Sequence, residues 1–178
     1  MLSYSNLLVI DLASYGIAFS IINQFCDEIQ VKVFEVSPIG HVGIIILLIK
    51  DETAAEVLKN EILSFYKSNL ISVCLLKNFD KRLLPVYLSQ NKDEALKSML
   101  ILEFSFVSDA FVAAQKLLTE NISLLDFRII RAYPLNAILV AAADDPAKLI
   151  SLRENLCARS STLIENVGAV VKEYFQNS

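Results

Sequence analysis

The sequence is poor in the residues from which most recognisable functional sites are built. It contains no tryptophan, four glycines, one histidine and three cysteines in 178 residues. Four glycines are too few to support a glycine-rich loop that cradles phosphates. The cysteines Cys26, Cys74 and Cys157 are far apart and odd in number, which predicts neither a zinc knuckle nor a disulfide framework. We expect them to be reduced, buried thiols in a cytoplasmic protein.

Basic residues are also scarce, with 16 Lys and Arg against 20 Asp and Glu and a net charge of −4. A nucleic-acid-binding surface needs clustered Lys and Arg, so the sequence disfavours that class of partner. The longest strongly apolar run, residues 42–49, is shorter than the ~20 residues of a spanning helix. Residues 1–6 lack the basic stretch and cleavage site of a secretory signal. We therefore expect a cytoplasmic chain that binds neither nucleic acid nor membrane.

Apolar residues, by contrast, are abundant, at 54% of the chain with a mean hydropathy of +0.50. Soluble domains typically contain about 45–50%. Without a membrane to cover it, the surplus apolar surface is best buried between subunits. The composition predicts a homo-oligomer.

The chain carries a weak internal repeat. Residues 7–11 align with residues 99–103 at an offset of 92, and both segments are apolar runs closed by an acid, Asp11 or Glu103. Further positions align at 92 or 93: Phe34 with Phe127, Asp51 with Asp144, and residues 70–73 with 162–165. Such a period indicates two copies of one unit.

Each copy predicts the order strand, helix, strand, strand, helix, strand and short helix. The first helices, at about 15–28 and 107–120, place apolar residues on one face. Residues 42–49 form a β-branched run typical of a strand covered on both faces. The fold class is therefore α/β (α+β), with two tandem βαββαβ modules of the ferredoxin-like kind. The polar segment 78–97 around Pro85 places the domains at 1–92 and 93–178.

Local signals mark the ends of several elements. The segment 37–41 contains a proline and a glycine, which predicts that the second strand breaks there. Asp51 begins the second helix of the first copy with an acid at the positive end of the helix dipole. In the second copy Asp144, Asp145 and Pro146 do the same, with proline in the first helical turn.

The chain resembles bacterial microcompartment shell proteins of the tandem, trimer-forming type. The resemblance lies in three segments that match the family's order of motifs. Residues 8–11 and 100–103 look like its opening strand, 111–116 is similar to its first helix, and 34–51 resembles the following pair of strands. It implies microcompartment-type modules, a ring of three chains that forms a pseudohexamer, and other shell proteins as possible partners.

The resemblance also implies a central pore lined by the turns between the second and third strands. Closed cyclic symmetry brings one such loop from each subunit to the axis. The implied pore-lining residues are Ser37, Pro38, Ile39, Gly40, His41, Arg131, Ala132 and Tyr133. Arg131 and Tyr133 would favour anionic solutes if exposed there; alternatively, Tyr133 and Pro134 only shape a hairpin turn.

The sequence predicts no catalytic residue, metal or cofactor, and so no enzyme. His41, the only histidine, is interpreted as a loop residue because no Cys or acid pattern accompanies it. Asp11 and Glu103 could act as a general acid and base. As repeat-related residues at strand ends, we expect them instead to cap a helix or to meet a basic partner at an interface.

Three functions fit these observations. The leading hypothesis is a structural, shell-like protein that assembles as a ring of tandem modules with a pore for small solutes. The alternative is a tandem ACT or ferredoxin-like regulatory module that binds a small ligand, although the acid-x-proline-glycine turn of such domains is lacking after both first strands. A third possibility is a scaffold that pairs with another protein through its sheet edges.

Overall fold

The structure, a computed structural model, describes residues 4–26, 31–40, 42–88, 96–132 and 135–177. In chain order its elements are β1 Asn6–Leu12, α1 Tyr15–Phe25, β2 Val31–Ile39, β3 Val42–Ile49, α2 Glu52–Tyr66, β4 Leu70–Leu76, α3 Leu83–Leu88, β5 Ser98–Phe104, α4 Val107–Thr119, β6 Ser123–Ala132, β7 Leu135–Ala143, α5 Pro146–Arg153, β8 Ser160–Ile164 and α6 Ala169–Asn177.

The strands form two four-stranded sheets with the same order. The first sheet runs β2-β3-β1-β4 and the second runs β6-β7-β5-β8. In the first sheet β1 pairs antiparallel with β3 and β4, and β5 pairs in the same way with β7 and β8. This is a βαββαβ fold repeated twice, which confirms the predicted fold class.

Contacts divide the chain into two compact units. The first comprises Met1–Phe79 with the short segments Phe106–Ser108 and Arg131–Tyr133, and the second comprises the remainder. Helix α3 therefore belongs to the second unit, although it follows the last strand of the first sheet. The boundary predicted between residues 92 and 93 lies in segment 89–95, outside the described residues, and stays a prediction.

The core of the first unit is built from its two central strands. Every residue of β1 and of β3 is buried, as expected for a strand covered on both faces. Alternate residues of these strands pack against the apolar faces of α1 and α2. The buried members of this cluster are Leu8, Ile10, Leu12, Ala18, Ile21, Phe25, Ile45, Leu47, Ile49, Ala55, Leu58 and Ile62.

The second unit contains an aromatic cluster between its helices and sheet. Tyr87 of α3 lies 5.2 Å, between ring centroids, from both Phe111 of α4 and Phe127 of β6. Phe111 and Phe127 are 4.7 Å apart, and both are buried. Hydrogen bonds support the same packing, since the Asp80 amide donates to the Gln115 side chain and Arg82 donates to the carbonyl of Leu118. The predicted apolar face of α4 is thus confirmed.

Strand β2 does not break where the proline predicted. Ser37, Pro38 and Ile39 continue the strand and pair with residues of β3, so the turn between the two strands is shorter than the predicted segment 37–41. Pro38 is tolerated because β2 is an edge strand, on which an N–H directed away from β3 has no ladder partner to lose. A register shift between Val33 and Glu35 explains the irregular alternation of this segment.

The offset between the two copies also changes near the end of each module. Asp11 pairs with Ser72 across β1 and β4, and Glu103 pairs with Ser160 across β5 and β8. Ser72 and Ser160 are therefore equivalent at an offset of 88, and the alignment of residues 70–73 with 162–165 is wrong. Part of the reason is that α5 has 8 residues whereas α2 has 15.

Two helix caps lie where the sequence predicts them. Asp51 caps α2 by accepting from the Ala54 amide, and Asp145 caps α5 by accepting from the Ala147 amide, with Pro146 in the first turn, as predicted.

The cysteines, all among the described residues, are present as thiols. Their predicted burial is wrong for Cys157, which is exposed, and only partial for the other two. Among the described residues, no helix has the length and apolar character needed to cross a membrane.

Gly43 of β3 provides a test of the close packing of α1 against the first sheet. A Cβ at this position would lie 2.7 Å from the Tyr15 Cα and 3.2 Å from its nitrogen. Because both neighbours are backbone atoms, Gly43→Ala should lower the free energy of unfolding by about 1–3 kcal/mol. Gly168→Ala is the matched control, since nothing lies within 4 Å of its added Cβ. Urea denaturation measures both; equal stability of the two variants would contradict the close packing.

Candidate functional site

The most deeply buried charged group among the described residues is the Asp11 carboxylate at the end of β1. Its side chain is 1% exposed, and its neighbours along the strand are apolar. Oδ1 accepts from the amide of Val107 and Oδ2 accepts from the amide of Ser108, each at 2.9 Å. These are the first two residues of α4, and segment 106–108 belongs to the first unit. The expectation that Asp11 caps a helix is confirmed.

Two serines complete this contact. The Ser108 hydroxyl lies 2.7 Å from the hydroxyl of Ser72, which is the cross-strand neighbour of Asp11. Val107 and Ser108 are both fully buried. Sequence reasoning missed Ser72 and Ser108, because nothing in their local pattern distinguishes them from other serines.

Burial raises the pKa of the Asp11 carboxyl, and hydrogen bonds from Ser108 and Val107 offset part of that effect. The carboxylate is stabilised by amide dipoles at the start of a helix. The Asp11 carboxylate therefore has the surroundings of a side chain that stabilises the fold through its hydrogen bonds.

Glu103, the counterpart of Asp11, is placed differently. Its side chain is half-buried and accepts a hydrogen bond from Ser160, its cross-strand neighbour. The Glu103 carbonyl accepts from the Arg159 amide. Asp11 and Glu103 thus bind separate sets of partners, which disfavours the interpretation that they form one acid–base pair.

The predicted pore-lining residues are described only in part. Ser37 is buried and donates to the Glu35 carboxylate at 2.6 Å, Ile39 is buried, and Pro38 is exposed. Gly40 is exposed in the turn after β2, with a φ of +59° that favours glycine. Arg131 and Ala132 lie in β6.

His41 and Tyr133 lie outside the described residues, and the side chains of Arg131 and Ala132 do as well. The pore-lining role of all eight residues therefore stays a prediction. Over the described parts of the chain, no three His, Cys, Asp or Glu side chains converge in a group that could hold a metal.

The fold of this chain has a counterpart among solved structures. No family model and no curated protein matches this sequence. Among solved structures, a microcompartments protein from Desulfitobacterium hafniense DCB superposes with a TM-score of 0.74 at 15% identity, over 94% of this chain and 98% of that one. The small subunit of acetolactate synthase from Thermotoga maritima covers 91% and 94% at 16% identity, with a TM-score of only 0.29.

These findings correct the identification made from the sequence motifs. At 15% identity, and with no matching family model, the likeness to the Desulfitobacterium protein shows a shared fold and not membership of a family. The assignment of this chain to the tandem, trimer-forming microcompartment shell proteins is therefore wrong as a family assignment. The motifs on which it was based describe the order and burial of strands and helices, which unrelated sequences of one fold can share.

Replacing the buried carboxylate tests its structural role. Asp11→Asn keeps the shape of the side chain but leaves one oxygen to accept two backbone N–H groups, so one buried amide loses its partner. We expect a loss of about 1–3 kcal/mol in the free energy of unfolding, measured by chemical denaturation. Asp145→Asn is the control, because asparagine is an equally good cap at this exposed helix start. A neutral Asp11→Asn would contradict the role.

The raised pKa of Asp11 predicts a direction for the pH dependence of stability. The Asp11 carboxyl binds its proton more tightly in the folded state than in the unfolded state. Lowering the pH through the folded-state pKa of Asp11 should therefore stabilise the natural chain. The gain in the free energy of unfolding is complete below the unfolded-state pKa of Asp11, and it is lost as the pH rises through the folded-state pKa. Denaturation of the natural chain and of Asp11→Asn across this range isolates the effect; a difference that does not change with pH would argue against it.

Proposed function

We propose that this chain is a structural, non-catalytic protein that works in the cytoplasm as a closed ring of several copies, with an opening for small solutes on the ring axis. The turns between β2 and β3 and between β6 and β7 face that axis. Three chains, each with two modules, give such a ring six similar sectors.

The observation that carries the proposal is an exposed aromatic pair on α1. Tyr15 and Phe19 are 36% and 52% exposed, and their rings make an edge-to-face contact at 5.2 Å. Isolated exposed apolar side chains are common on monomers, but adjoining aromatic rings are typical of an interface. The high apolar content of the chain supports the same conclusion, because Tyr15, Phe19 and other large apolar side chains among the described residues remain exposed.

The arrangement of the buried acid supports a structural role. Asp11, the group best suited by burial to unusual acid–base chemistry, has its two oxygens occupied by backbone amides. Glu103 is bound to a serine. Asp11 therefore holds the fold together at the end of its strand.

Sedimentation velocity of the purified chain at decreasing concentration tests the proposal. We expect a species of about three times the 19.9 kDa chain mass that persists on dilution. A stable monomer would refute the proposal. A thermal-shift screen with amino acids and nucleotides provides the second measurement: no shift is expected, and a rise in melting temperature with one ligand would favour a regulatory binding module instead.

A further inference from the structure

We infer that copies of this chain join through a second version of the Asp11 contact, in which Glu103 of one copy accepts hydrogen bonds from the start of helix α1 of the next copy. The inference rests on the proposed function, because it names the two surfaces by which the ring closes. A second copy of this chain is the partner.

The template is the contact already present in the first unit. Asp11 and Ser72 lie side by side on β1 and β4, and they bind the amides of Val107 and Ser108 and the Ser108 hydroxyl. One surface is thus the end of two adjacent strands, and the other is the first turn of a helix.

Each part of this contact has a repeat-related counterpart. Glu103 and Ser160 lie side by side on β5 and β8 as Asp11 and Ser72 do on β1 and β4. The first turn of α4 corresponds to the first turn of α1, which places Tyr15 and Gly16 at the positions of Val107 and Ser108. The chain therefore carries both surfaces twice.

The counterparts differ in one respect: they are more exposed to solvent. Val107 and Ser108 are fully buried, whereas Tyr15 is 36% exposed and Gly16 is exposed. One turn further along, Phe111 is fully buried and its counterpart Phe19 is 52% exposed. Asp11 is buried, but Glu103 is only half-buried. Within a single chain one of the two equivalent contacts forms, and the two surfaces that correspond to the other contact remain partly exposed.

The two open surfaces are complementary in charge. The first turn of α1 contains no acid, and among the described residues Ser14, its N-cap, makes no capping hydrogen bond through its side chain. The positive end of the α1 dipole therefore suits a carboxylate from outside. Glutamate is one methylene longer than aspartate, and Gly16 has no side chain, which leaves room for it. The hydroxyl of Ser160 donates to Glu103 on the same surface.

A contact between two different surfaces of identical chains is heterologous, so each copy donates one surface and accepts with the other. Such contacts produce a ring when the rotation closes and a filament when it does not. The inferred contact thus defines the direction in which copies follow one another around the ring.

Cysteine cross-linking tests the geometry with an internal control. Ser72→Cys with Ser108→Cys should form a disulfide within one chain, because the two hydroxyl oxygens are 2.7 Å apart. The counterpart pair, Ser160→Cys with Gly16→Cys, should join different chains. A side chain at Gly16 has space, since its Cβ would meet only the Ser14 Oγ, at 3.9 Å. Both pairs are made in a background that lacks the natural thiols: Cys26→Ala, Cys74→Ala and Cys157→Ser.

Non-reducing electrophoresis after mild oxidation provides the readout. The Ser160→Cys and Gly16→Cys pair should give covalent multimers that end at the size of the ring, and the Ser72→Cys and Ser108→Cys pair should give only monomer. Each single substitution should give neither product.

Glu103→Gln provides a second measurement that does not depend on disulfide formation. Loss of the charge and of one acceptor should weaken assembly by about tenfold or more in sedimentation, with folding unchanged by circular dichroism. Glu154→Gln, the same change at an exposed position, should leave assembly as it is.

The outcomes separate this inference from the proposed function. If the natural chain is a monomer, the proposed function fails and the inference fails with it. If the chain assembles but the Ser160→Cys and Gly16→Cys pair gives no interchain product and Glu103→Gln assembles normally, the ring stands and the inferred contact is refuted.

Discussion

A carboxylate buried at the end of a central strand constrains this fold. Strand β1 is buried along its whole length, and an unpaired charge there would cost several kcal/mol. Asp11 is accommodated because two backbone amides at the start of a helix supply hydrogen bonds and a favourable dipole. The strand end and that helix turn must therefore be placed together, which no apolar pair would require with the same directional precision.

Much of the fold could be predicted because it depends on local patterns. The β-branched run of β3, the apolar face of α4 and the caps Asp51 and Asp145 each follow from residues within one or two turns. Two features depend on tertiary context and could not. Pro38 reads as a strand breaker until β2 is known to be an edge strand. The offset of 88 between Ser72 and Ser160 emerges only from strand pairing, since the intervening segments differ in length.

The candidate site likewise combines features that the sequence predicts with features that depend on folding. The equivalence of Asp11 and Glu103 is visible in the sequence, because each closes an apolar run at the same point of the repeat. Their partners are not, since Val107 and Ser108 lie about a hundred residues from Asp11 and are brought to it by folding. The family resemblance failed for a related reason: motifs made of burial and element order specify a fold, and at 15% identity they specify nothing narrower.

Fusion of two modules makes the two equivalent contacts differ in kind. The contact of Asp11 with segment 107–108 joins parts of one chain, so its effective concentration is fixed by the chain and does not change on dilution. The inferred contact of Glu103 with the start of α1 would join separate chains and would form only when they meet. We then expect the two copies to differ in sequence at the inferred contact between chains, because only that contact weakens on dilution. They do differ there, since Asp11 and Ser108 correspond to the longer Glu103 and the smaller Gly16. In the proposed assembly, this half of the repeat would therefore set the affinity between chains.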